Sequence, residues 1–85
     1  MPRFFFHMYN GHGDTPDEVG SDLEDQAAAR RLAIDSVRSM ISEDARRGTI
    51  DLKGRIDVMD GAGNVLVTVE FAEAFEVRLP DGTRL

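Results

Sequence analysis

Side chains along an extended Arg3–Tyr9 point alternately to opposite faces, which puts Phe4, Phe6 and Met8 on one side and Arg3, Phe5, His7 and Tyr9, two of them aromatic, on the other. This aromatic run reads as a strand. A turn or loop is expected over Asn10–Pro16, where Asn10, Gly11, Gly13 and Asp14 supply unusual dihedrals and Pro16 punctuates. Residues 17–23 read either as a short second strand or as an irregular approach to a helix, with Val19 and Leu23 as its apolar contacts.

The period changes at Asp25. From there to Gly48 no proline or glycine interrupts the chain, and Ala29, Ala33, Val37, Met40 and Ile41 fall on one stripe with Ile34 at its edge. Arg31, Asp35, Arg38, Ser42 and Arg46 fall opposite, which predicts an amphipathic helix over 25–47. Two N-caps compete: Ser21 with Glu24 as a capping box, or Asp25 directly before the alanines. Acidic residues at the start and Arg46 and Arg47 at the end match the helix dipole, and Gly48 suits a left-handed residue beyond the last turn. Glu43 and Arg47 have the i, i+4 spacing of an ion pair.

Two further alternating runs, 54–60 and 64–71, flank Gly61–Gly63 and predict a hairpin. Ile56, Val58, Val65, Val67, Val69 and Phe71 join Phe4, Phe6 and Met8 on the face that receives the helix. By the same alternation Arg55, Asp57, Met59, Leu66, Thr68 and Glu70 join Phe5, His7 and Tyr9 on the second face. Phe71, Ala74 and Phe75 suit a helical turn, whereas Phe75, Val77 and Leu79 suit an extended run; a flexible tail is expected over 80–85. The expected architecture is one α+β domain over 1–79. It has a small, mostly antiparallel sheet of three or four strands with one long amphipathic helix packed on one face, in the order β(β)αββ.

Composition narrows the setting. The 85 residues hold one domain and one modest core. Cysteine is absent, so neither disulfides nor thiolate–metal sites hold the fold, as suits a reducing cytoplasm. No apolar run approaches the ~20 residues that span a bilayer, and the first residues lack the basic and apolar pattern of a secretory leader. A cytoplasmic protein without membrane association is expected. The formal net charge of -6 repels phosphate at long range and weighs against nucleic-acid partners.

Three stretches carry a resemblance: the opening MPRFFFHMYNG, the approach DEVGSDLEDQAAARR, and the hairpin GRIDVMDGAGNVLVTVEFAEAFEV. Together they resemble an uncharacterised family of short, largely alphaproteobacterial proteins that open with Met-Pro-Arg and aromatics. Asp17, Glu18 and Gly20 match its acidic-acidic-x-Gly stretch. Asp25, Ala28, Ala29 and Arg30 match its helix opening, and Asp60, Gly63, Val65 and Leu66 its hairpin. Glu24 and Gln26 stand where the family pattern has proline and leucine. The resemblance implies a domain of unknown function and supplies no active site.

The chemistry-bearing residues give little more. His7, His12 and Asp14 are the candidate metal ligands, but their spacing matches no recognised site. Gly61–Gly63 leads into a strand rather than a helix N-terminus, and Gly11–Asp14 precedes acidic residues, so neither reads as a phosphate loop. Ser21, Ser36, Ser39 and Ser42 lie outside any nucleophile elbow. No catalytic residue, cofactor or enzymatic activity is assigned. Arg3, Phe5, Tyr9 and Arg55 could serve a small regulatory or nucleic-acid-associated domain, but basic residues are sparse around the aromatics. A metal-dependent or hydrolytic enzyme around His7 and His12 is the weaker alternative. An apolar centre with a charged surround is the composition of a protein–protein contact. The expected interaction surface is Arg3, Phe5, His7, Tyr9, Met59 and Leu66, in a module that pairs with itself or another protein. The competing expectation is that Phe75, Val77 and Leu79 fold back over this face.

Overall fold

Alternation along the aromatic and β-branched runs is realised as an antiparallel sheet. The computed structural model describes residues 1–84. Strand β1 covers Arg3–Asn10, β2 Gly13–Thr15, β3 Ser21–Asp22, β4 Gly54–Met59 and β5 Val65–Glu70. Helix α1 covers Gln26–Arg46, and a 3₁₀ turn covers Phe71–Ala74. The strands run in the order β2-β1-β4-β5, and β3 also pairs with β1. The class is α+β, with five strands rather than three or four. Gly13–Thr15, expected as loop, pairs with Met8–Asn10, and residues 17–23 contain the two-residue β3. Glycine and aspartate are poor strand formers, so β2 exists because β1 lies alongside it.

The helix covers one face. Ala29, Ala33, Val37 and Ile41 are buried against Phe4, Ile56, Val58, Val69 and Phe71, with Phe6, Met8, Ile34 and Met40 packed at the margin. Each fully buried valine or isoleucine contributes about 1.5–3 kcal/mol through the surface it removes from water. Asp25 is the N-cap: its side chain accepts from Ala28 N–H at 2.8 Å. Ser21, the competing cap, is instead engaged in β3 opposite Phe4. At the other end Arg46 pairs with Glu43 at 3.5 Å and Arg47 with Asp44 at 2.8 Å, in place of the Glu43–Arg47 pair. Both pairs are exposed and contribute little.

The chain after β5 turns toward the helix. Phe71 and Ala74 are buried, Phe75 packs against the core, and Arg38, expected on the solvent face of α1, donates to Ala74 O at 2.7 Å. Further on, Leu79 N–H donates to Thr83 O at 2.8 Å and Gly82 N–H to Leu79 O at 2.9 Å, closing a turn. This turn occupies most of the expected 80–85 tail, whose last residue, Leu85, lies outside the described residues.

Register corrects one sequence expectation. Val58 pairs with Val67, but Met59 pairs with Val65, so Leu66 is an extra residue in β5. Such a bulge shifts the following side chains to the other face. Val65, expected in the core, is 53% exposed, and Leu66, expected on the second face, packs against the core.

Between β2 and β3, the outer edge of β1 is closed by a side chain. Asp17 Oδ2 accepts from Phe6 N–H at 3.1 Å, while its Oδ1 accepts from Val19 N–H at 3.1 Å and Gly20 N–H at 3.0 Å. Burial pushes the Asp17 carboxyl up, but the donors Gly20, Phe6 and Val19, joined by the coulombic pull of His7, outweigh it and hold the group below its ordinary value. A carboxyl with a lowered folded pKa adds stability that is full above the unfolded carboxylate value, ~4, and is lost as pH falls through the folded value.

Asp17→Asn leaves an acceptor for the turn but aims an amide N–H at Phe6 N–H. It should cost about 1–2 kcal/mol at neutral pH by chemical denaturation, with a smaller loss of stability on acidification than the wild type shows. Gly54 has φ +144, and a Cβ there would lie 2.5 Å from the Phe71 ring and 2.6 Å from Tyr9 O. Gly54→Ala should therefore lower stability by about 2 kcal/mol or more in the same measurement.

Candidate functional site: the uncovered sheet face

Cross-strand pairing arranges the face opposite α1 in rows, because directly opposed residues share a face. Asp22 stands opposite Arg3; Phe5, Met59 and Val65 form one row; His7, Asp57 and Thr68 the next; and Asp14, Tyr9, Arg55 and Glu70 the last. The helix lies on the other side, and the 3₁₀ turn packs there with it.

Each arginine on this face already has a carboxylate partner. Arg3 Nε donates to Asp22 Oδ1 at 3.0 Å and its Nη2 to Asp22 Oδ2 at 3.2 Å, while Nη1 donates to Val19 O at 3.0 Å. The Arg3 hydrogen bond holds the Asp22 carboxyl below its ordinary value. Arg55 Nε donates to Asp57 at 3.3 Å, and its guanidinium carbon lies 4.3 Å from the centroid of the Tyr9 ring, a cation–π contact. Asp57 is 8% exposed although it lies on the uncovered face. Thr68 Oγ1 donates to it at 2.9 Å, so Thr68 and Arg55 together compensate the buried charge. The Tyr9 π-face that would stack a base is occupied, and both arginines that would meet phosphate are neutralised from within the chain. Asp14 and Glu70 add further negative charge in the Tyr9 row.

Glycine backbone closes on the half-buried Phe5 at two edges of its ring. A Cβ on Gly20, at φ +79, would fall 2.9 Å from Phe5 Cε2 and 2.8 Å from Arg3 Cγ, so only glycine lets the Asp17–Gly20 turn lie on the ring. Gly61 of the hairpin loop approaches the opposite edge of the ring. Asp17 and Gly20 of the acidic-acidic-x-Gly stretch thus do a structural job: one fastens the turn to β1 and the other lets it rest on Phe5.

Of the expected surface, Arg3, Phe5, His7, Tyr9 and Met59 are brought together on this face, and Leu66 is not. Val65 takes its place, a position that alternation alone assigns to the core, because both residues are apolar and only the bulge separates them. Asp57 and Thr68 occupy the middle of the face, where their polarity and alternation placed them, but their mutual hydrogen bond has no sequence signature. The metal candidates separate: His7 and Asp14 border one depression beside Tyr9 and Pro16, whereas His12 lies with Met40, Ile41 and Asp44 near the helix. Among the described residues, no three of His, Cys, Asp and Glu converge on one point. Also among them, no helix is long and apolar enough to cross a membrane.

No curated protein and no solved structure matches the chain. A family model does, from residue 3 to residue 72, which runs from the start of β1 into the 3₁₀ turn. That span takes in both edges of the sheet, the helix, and the Asp17–Gly20 turn on Phe5. On this match the chain belongs to the family described as a domain of unknown function, DUF6894.

Proposed function

We propose that this domain is a non-enzymatic protein-interaction module that associates with a second copy of itself. The observation that carries the reading is the uncovered sheet face. The chain's own C-terminal segment, which could have covered it, packs with the helix instead. Sheet faces left to solvent are ordinarily polar throughout, yet this one holds Phe5, Tyr9, Met59 and Val65 between arginines that are already paired. A centre of apolar and aromatic groups inside a polar rim whose arginines are paired favours contact with another folded protein surface. It disfavours phosphate, which needs unpaired cations.

Light scattering on purified protein tests the reading. A dimer is expected at concentrations on the order of tens of micromolar, dissociating on dilution as mass action requires. A monodisperse monomer at that concentration refutes it. Titration with single-stranded oligonucleotide at low salt should be flat, and salt-dependent binding there favours the nucleic-acid reading instead.

A further inference from the structure

The backbone of Thr68 faces out of the sheet. Phe6 N–H donates to Asp17, away from β4, so Phe6–Val58 is a non-hydrogen-bonded pair and its neighbour His7–Asp57 is a bonded one. The N–H and C=O of Asp57 are then engaged with β1. This leaves Asp57–Thr68 unbonded and turns the Thr68 groups outward. Two bonds elsewhere have the phase this requires: Glu70 N–H donates off the ladder to Glu73 Oε1 at 3.2 Å, and Asp60 N–H donates into the hairpin to Asn64 O at 3.0 Å. Among the described residues, no backbone or side-chain group bonds to the Thr68 N–H or C=O on that outer side.

The two edges of the sheet differ. At the β1 end, β2 and β3 are three and two residues long and the Asp17 carboxylate closes the gap between them. Short strands and inward-pointing charge are the devices that stop edge pairing. The β5 edge has no proline, and its one charged residue is Glu70 at the end.

We infer that a second copy of this chain pairs with β5 in antiparallel register, with Thr68 on the two-fold axis. This rests on the self-association reading above and places the pairing at an edge of the sheet, beside the uncovered face rather than across it. In that register Thr68 exchanges both backbone bonds with its counterpart, and Val67 lies opposite Val69 of the other copy in a close, unbonded pair on the helix side. Glu70 lies opposite Leu66, so like charges do not meet. Because Glu70 N–H is held by Glu73 and Leu66 sits in the bulge, this flanking pair adds little, and the Thr68 pair carries the bonding. The neighbouring registers fit worse. Moving one step toward the hairpin takes Thr68 off its counterpart and sets it against Leu66, the extra residue of the bulge, where the regular ladder is broken. Moving one step the other way sets Thr68 against Glu70, whose N–H is already given to Glu73. Because opposed side chains share a face, the pairing puts both helices on one side and joins the two uncovered faces into one continuous surface.

Amide exchange followed by NMR on the unaltered chain tests this. The Thr68 amide should exchange about tenfold more slowly when the protein is concentrated from the monomer range into the dimer range. Thr68→Lys sets like charges across the axis and should yield a monomer by light scattering that keeps its helix by circular dichroism. A dimer whose Thr68 amide rate is independent of concentration overturns the inference while self-association stands, since the copies then meet elsewhere. A folded Thr68→Lys that remains dimeric overturns it equally. A wild-type monomer throughout removes both readings.

Discussion

One helix can cover only one face of a sheet, and most of this molecule follows from that constraint. The buried stripe of α1, from Ala29 to Ile41, is matched to the face that carries Phe4, Ile56, Val58 and Val69. The short C-terminal segment adds Phe71, Ala74 and Phe75 to the same side, held by the Arg38–Ala74 hydrogen bond. Among the described residues no further helix is left to lay over the other face. That face has to satisfy itself, which it does with ion pairs, one buried carboxylate and glycine backbone.

The uncovered face is therefore organised rather than simply polar. Asp57 would carry a severe desolvation cost at 8% exposure without Thr68 and Arg55. Arg55 in turn is held over Tyr9, which fixes its direction. Arg3 is tied to Asp22 of β3 and to Val19 O, so the first strand and the turn before the helix are joined at the surface as well as through the sheet. These contacts consume the charges that a nucleic-acid surface would need, and they leave apolar groups between them.

The Asp17 carboxylate has a second consequence beyond fastening a turn. By taking the Phe6 N–H it fills the gap between β2 and β3 on the outer side of β1, and the direction of that N–H marks the phase of the hydrogen-bond ladder. The same phase, carried across β4, exposes the Thr68 backbone at the far edge. Protection at one edge and availability at the other are thus linked by the regular alternation of antiparallel pairing.

Much of this was legible in the residues. The helix, its buried stripe and the hairpin are periodic patterns, and period is set locally by side-chain direction. Placing Phe4, Phe6 and Met8 under the helix and Phe5, His7 and Tyr9 opposite needed nothing more than alternation. What alternation could not reach was the exchange of Val65 and Leu66, since two adjacent apolar residues leave a bulge without a signature. Nor could it supply β2, whose glycine and aspartate pair only because β1 is there. The choice of Asp25 over Ser21 as cap, the docking of the tail beside the helix, and the coverage of Phe5 by Gly20 and Gly61 are contacts between segments distant in sequence. The sequence by itself determined which side chains share a side of each element. The tertiary structure alone decided which edge is closed, which face stays open and what lies on Phe5, because those depend on where separate segments meet.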